Sequence, residues 1–205
     1  MRRPLQPHLR PLRRDAQRRA RHSPGAEAPA VTAEERARSI KLVVFDVDGV
    51  LTDGGLWYGP DGEVMKRFDV KDGHAMVLAR LTGLPVAILT ARTSKIVETR
   101  ATELKLAKVF QGRREKGPAL LELCSELNVT PHQTAYMGDD VNDLPAMAAC
   151  GLTACPADAV AEVKAQVHFV SQQPGGRGAA RELIELVLKQ TGRWAEAMAH
   201  VTGRP

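Results

Sequence analysis

The chain has 205 residues, of which 43% are hydrophobic and 26% charged, with 17 glycines and 13 prolines. That composition supports one core of ordinary domain size and excludes collagen-like or wholly disordered chains. No run nears the ~18 consecutive apolar residues of a membrane span, and 4% aromatics leave little for a base-stacking platform.

The net charge of +5 is unevenly placed. Residues 1–40 carry ten arginines against four acidic residues, whereas the remainder balances 19 basic with 20 acidic side chains. The body is therefore nearly neutral, which argues against nucleic acid as its partner. Three cysteines, Cys124, Cys150 and Cys155, form no CxxC pair and leave an odd thiol. That usage suits a reducing, cytoplasmic setting.

Residues 1–39 read as a basic, disordered leader. Four prolines precede Ala26, arginines cluster at Arg13-Arg14 and Arg18-Arg19, and aliphatic periodicity is missing. Such a segment cannot bury enough apolar surface to offset its ordering entropy. No apolar stretch follows the basic residues, so it is not a secretory signal, and its scarcity of serine weakens a transit-peptide reading. Thr32, followed three residues later by Glu35, has the form of a capping box opening one short helix.

From residue 40 to 190 the pattern is that of a folded domain, with 191–205 as a C-terminal tail. Lys41–Phe45 is a short β-branched run ending in Asp46, as a buried parallel strand requires. Pro85–Leu89 ends in Thr90 and Thr134–Met137 in Gly138-Asp139, while Leu152–Cys155 and Val167–Val170 are weaker copies. Helices are predicted over about 73–82, 94–105, 117–127, 142–149 and 178–190, and a fourth strand ahead of Lys116. This alternation predicts an α/β fold, a doubly wound Rossmann-like parallel sheet. Residues 55–69 break it with a protruding β-hairpin whose turn, Gly59–Gly62, uses Gly62 for positive φ. No segment is long enough for a large cap domain.

Sites in such sheets form beyond the carboxyl ends of the strands. Here those ends carry Asp46 with Asp48, Thr90, and Asp139 with Asp140. Several carboxylates at one edge repel unless a hard cation or a lysine joins them, and Mg²⁺ with Lys116 supplies both.

These residues carry a resemblance. Asp46–Asp53, Thr90, Lys116 and Gly138–Asp143 resemble, in order, the four motifs of the haloacid dehalogenase superfamily. The hairpin, Phe68–Gly73, Thr90–Arg92 and the Gly175–Glu182 stretch are similar to a capless, homotetrameric group within it, the 3-deoxy-D-manno-octulosonate 8-phosphate phosphatases. The resemblance implies a magnesium-dependent phosphatase acting on a small phosphorylated sugar acid. Asp46 is then the nucleophile, Asp48 the acid and base, and Thr90 and Lys116 the charge stabilisers. Mg²⁺ is held by Asp46, the Asp48 carbonyl and Asp139, with Asp140 and Asp143 behind them.

Substrate contacts implied by the resemblance are Asp48, Asp69, Val70, Lys71, Asp72, Gly73, Arg92, Arg100 and Lys116. Arg92 and Arg100 lie eight residues apart across a helix expected to begin near Thr93, a spacing close to two turns that lets both face one side and grip the sugar acid. Asp69–Gly73 would line the pocket against a neighbouring subunit, and Arg177 or Arg181 would reach such a neighbour. Two positions depart from the group's pattern, Lys71 in place of arginine and Val77 in place of a second basic residue. They leave room for a nine-carbon sugar-acid phosphate or a broader substrate range; a non-catalytic specificity domain of a sugar nucleotidyltransferase system is a separate alternative. Trp57, Tyr58, Met65 and Phe68 form an apolar hairpin surface that predicts assembly.

Overall fold

A computed structural model describes residues 31–203 of the chain. Expectations about residues 1–30, the bulk of the basic leader, lie outside them.

The central sheet consists of β1 (Leu42–Phe45), β4 (Val86–Leu89), β5 (Lys108–Phe110), β6 (Thr134–Met137), β7 (Leu152–Cys155) and β8 (Phe169–Val170). Their order is β5-β4-β1-β6-β7-β8, and every neighbouring pair is parallel. The chain builds outward from β1 through β4 to β5, then returns to place β6 on the other side of β1. That reversal opens a crevice at the carboxyl end of β1, where this class of sheet binds ligands.

Strand alternation divides the core in two. Val43 and Phe45 of β1, with Val86 and Ile88 of β4, face a layer made by α2 (Val70–Leu81), α3 (Lys95–Leu104) and α7 (Ala179–Gln190). Leu42, Val44, Ala87 and Leu89 face the opposite layer, α4 (Lys116–Glu126), α5 (Leu144–Met147) and α6 (Ala161–Lys164). Strands covered on both sides are apolar throughout, which is why β1 and β4 lack a polar alternation. The hairpin, β2 (Trp57–Gly59) and β3 (Gly62–Met65), pairs only with itself, and Gly62 has φ +112° at its turn.

Several boundaries differ from expectation. The helix α2 begins at Val70, because Asp69 caps it by accepting from the Lys71 N–H at 2.6 Å. The helix expected over 142–149 is a 3₁₀ turn, Val141–Asp143, running into the short α5 with Pro145 in its first turn. The leader does not extend to residue 39. Thr32 and Glu35 close the reciprocal capping box of α1 (Ala33–Ala37), whose Ala37 is fully buried beside α7 and β7. The expected tail carries α8 (Trp194–Thr202), which packs on α2 and α7 and buries Ala197. Among the described residues no helix is long and apolar enough to cross a membrane.

Candidate active site

Asp46 follows β1 directly, and its N–H still pairs with the Met137 carbonyl of β6 at 3.0 Å, so the sheet fixes its position. Thr90 ends β4 and is likewise tied, donating its N–H to Phe110 at 2.9 Å. Asp139 and Asp140 follow β6. Together with Asp48, Gly49, Arg92 and Asn142, these four residues line one open cavity of about 240 Å³. Lys116, the first residue of α4, enters from below and is almost wholly buried.

Lys116 joins two carboxylates, with its ammonium 2.8 Å from Asp46 Oδ2 and 2.6 Å from Asp143 Oδ1. Burial opposes its charge, but Asp46 and Asp143 outweigh that effect and hold its pKa above the usual lysine value. Asp143 is fully buried and fully used. Its Oδ1 also accepts from the Tyr136 hydroxyl at 2.7 Å, and its Oδ2 accepts from the backbone N–H groups of Asp139 and Asp140. Asp143 therefore shapes the loop and orients Lys116 without an oxygen to spare. Asp140 turns its Oδ1 back to the Val141 N–H.

Asp46 and Asp139 differ from it. Burial, reinforced by Asp143 and opposed by Lys116, pushes the Asp46 carboxyl up to about 6. Burial, with the charges of Asp143 and Asp46, pushes Asp139 up to about 7. Asp46 Oδ1 is buried without a hydrogen-bond partner, a costly state for a carboxylate. Gly49, at φ +84°, lies so close that a Cβ there would collide with the Asp139 carboxylate. Asp46, Asp139 and Asp143 each place an oxygen within 4.8 Å of the others. Crowded, desolvated carboxylates with an orphaned oxygen fit a hard divalent cation held by Asp46 and Asp139.

Beside this cluster, Asp48 is gripped at both oxygens, by the Lys66 ammonium on Oδ1 and by Arg92 Nε at 3.3 Å on Oδ2. Arg92 also donates to the Tyr58 hydroxyl at 2.7 Å. Lys66, Glu63 and Tyr58 were absent from the sequence-derived site. The sequence carried no signal for them: Val64 and Met65 face outward while Lys66 is only 7% exposed, a burial that only the fold displays.

The remaining expected contacts lie elsewhere. Arg92 precedes the Ser94 N-cap of α3, as expected, but it lines the Asp46 cavity while Arg100 does not, so the two do not grip one ligand within the chain. Arg100 lines a separate apolar cleft with Asp69, Asp72, Gly73 and Phe68. Phe68 is accordingly packed against the core and is not part of the exposed hairpin surface. Asp72 is buried, and its carboxylate accepts from the N–H groups of Gly178 at 3.1 Å and Arg181 at 2.8 Å, fastening the start of α7. Val70 and Lys71 are exposed. Gly176 donates to the Val50 carbonyl at 2.8 Å, and both Gly175 and Gly176 approach the Gly49–Asp53 backbone too closely for any Cβ. This glycine stretch thus buttresses the Asp46–Asp53 loop of its own chain.

A parallel sheet with a carboxylate at the end of β1, a buried lysine and a second carboxylate after β6 suits phosphoryl chemistry at a divalent cation, and residues 86–183 match the haloacid dehalogenase-like hydrolase model. A Haemophilus influenzae 3-deoxy-D-manno-octulosonate 8-phosphate phosphatase is 42% identical over 160 residues, covering 78% of this chain and 89% of the relative. The Moraxella catarrhalis phosphatase of the same name, solved with magnesium, phosphate and KDO, superposes with a TM-score of 0.79 at 34% identity, covering 83% of this chain and 98% of that one. The cobalt-bound Haemophilus influenzae enzyme gives 0.77 at 40% identity, over 80% of this chain and 98% of the other. The chain belongs to the family of 3-deoxy-D-manno-octulosonate 8-phosphate phosphatases, within the haloacid dehalogenase superfamily.

Proposed function

We propose that the protein hydrolyses 3-deoxy-D-manno-octulosonate 8-phosphate through an aspartyl-phosphate on Asp46. The observation that carries this reading is the convergence of Asp46, Asp139 and Thr90 on one cavity, with Lys116 buried behind Asp46 and Asp46 Oδ1 buried and unpartnered. Asp46 and Asp139, with the backbone carbonyl of Asp48, would hold Mg²⁺. When bound, that ion cancels the repulsion between a carboxylate nucleophile and a phosphate dianion.

Asp46 Oδ attacks phosphorus as the bond to the sugar oxygen breaks, and Asp48 gives that oxygen its proton. Asp48 then takes a proton from the water that cleaves the acyl phosphate, returning Asp46 as a carboxylate. Thr90 and the Lys116 ammonium stabilise charge on the transferring group throughout. Arg92, at the rim beside Asp48, suits the carboxylate of the sugar acid. Asp69–Gly73 and Arg100, remote from this cavity within one chain, would complete a neighbour's pocket in a homotetramer.

Exposed Trp57, Tyr58, Val64 and Met65 on the hairpin support that assembly, and buried free cysteines fit the cytoplasm. Light scattering should give about four times the 22.3 kDa chain mass, and a monomer mass would refute the tetramer. Phosphate release from the eight-carbon and a nine-carbon sugar-acid phosphate, with magnesium and with chelator, tests the activity. Preferential, chelator-sensitive release from the eight-carbon substrate is expected. Equal rates with chelator would sink the reading.

A further inference from the structure

Asp48 sits in a loop with Gly49 and Gly54, yet it must aim first at the leaving oxygen and then at water. The structure shows what holds it. Lys66 reaches from the end of β3 to Asp48 Oδ1 and is itself anchored by Glu63 Oε1 at 3.0 Å. Glu63 in turn accepts from the hydroxyl of Ser94, the N-cap of α3. A polar chain therefore runs from α3 through the hairpin to the acid-base residue: Ser94, Glu63, Lys66, Asp48.

Surface ion pairs of this kind contribute little when exposed. This one is not exposed, because the Lys66 side chain is 1% accessible and that of Glu63 15%. Burying a lysine under a hairpin while Val64 and Met65 face outward has no packing rationale. It has one as a brace, since the ammonium donates to Asp48 Oδ1 while its charge is paired with Glu63, and Glu63 is fixed in turn by the Ser94 hydroxyl.

We infer that Lys66 is a positioning residue for Asp48, anchored by Glu63, and that the hairpin thereby sets the geometry of the proton-transfer group. The inference rests on the reading of Asp48 as the acid and base. Lys66 touches neither the Asp46–Asp139 cluster nor the transferring phosphoryl group in that reading.

The test compares Lys66→Met, Glu63→Gln, Asp48→Asn and the double variant Lys66→Met/Asp48→Asn, each with Mg²⁺. On 3-deoxy-D-manno-octulosonate 8-phosphate, Lys66→Met should lose about 10²-fold in kcat, as misplacement of a reacting group by ~1 Å does, with KM little changed. Glu63→Gln should lose less in the same direction, and it keeps the hairpin paired if Lys66→Met fails to fold. With p-nitrophenyl phosphate the leaving group departs without a proton, so transfer to Asp46 is spared. Lys66→Met should then release a burst of about one p-nitrophenolate per site, followed by slow turnover, because the water step still needs Asp48. The double variant should be no slower than Asp48→Asn alone.

A raised KM at unchanged kcat would overturn the inference by making Lys66 a substrate contact. So would losses that multiply in the double variant, or a missing burst. An Asp48→Asn enzyme of wild-type activity would instead sink the acid-base reading, and the inference with it.

Discussion

The Lys116 ammonium and the Asp143 carboxylate meet at 2.6 Å with neither side chain accessible to solvent. Because Asp143 also holds the Tyr136 hydroxyl and the Asp139 and Asp140 N–H groups, one carboxylate sets both the lysine and the loop that carries Asp139. Asp143→Asn cannot satisfy all four donors, since its amide nitrogen is itself a donor. We expect a loss of about 10–100-fold in kcat and in Mg²⁺ affinity, the usual effect of removing a partner behind the ligands. Titration calorimetry with Mg²⁺ and steady-state rates check it, and wild-type values in both would contradict the role.

Asp46→Asn should abolish turnover, since an amide does not displace the sugar oxygen. It also removes a buried charge that crowds Asp143 and Asp139. The metal-free variant should therefore melt at or above the wild-type temperature with an unchanged circular dichroism spectrum. Activity within a few-fold of wild type would refute the nucleophile assignment.

Asp46 and Asp139 give magnesium a pH-dependent effect on stability. In the metal-free fold their carboxyls titrate near 6 and 7, against an ordinary value of 3.8. The folded state thus retains protons that the unfolded chain has released, so metal-free stability falls as pH rises from about 4 to 7. Mg²⁺ held by the ionised pair, as proposed, would relieve that repulsion. The rise in melting temperature on adding Mg²⁺ should be greater at pH 8 than at pH 5. An equal rise at both would show that these groups do not control the site.

Gly49 and Gly83 both adopt positive φ, +84° and +70°, but only Gly49 has a carboxylate where a Cβ would go. Gly83→Ala should cost about 1 kcal/mol of stability through backbone strain alone and leave activity intact. Gly49→Ala adds displacement of Asp139, so Mg²⁺ affinity and kcat should fall together. Denaturant melts and calorimetry on the two variants separate strain from displacement.

Asp72→Ala should destabilise the fold by about 1–3 kcal/mol, because the Gly178 and Arg181 N–H groups lose a buried acceptor. Chemical denaturation measures it. A negligible change would mean that water replaces the carboxylate.

The sheet and its polar strand ends were legible because buried parallel strands are apolar throughout and stop at polar residues, as β1 stops at Asp46 and β4 at Thr90. The three-residue β5 was expected ahead of Lys116 but left without bounds, its Lys108 and Val109 being only half-buried. Asp72 was read as a sugar contact, since nothing local tells that its partners lie 106 and 109 residues away. Arg92 and Arg100 were joined by their two-turn spacing, whereas the fold sets them in separate cavities. Lys66 escaped notice because a lysine in a hairpin is normally solvated, and only the folded arrangement reveals the acid it faces.

The small α1 helix sets a limit on how far the chain can be trimmed. Ala37 is sealed inside the main core, and Arg36 spans to the Gly151 carbonyl at 3.2 Å, more than a hundred residues away in sequence. A shortened protein beginning at residue 31 keeps this clasp. One beginning at residue 40 opens a hole against α7 and strips a donor from the loop leading into β7, so its weakness would be misread as a contribution of the arginine-rich extension.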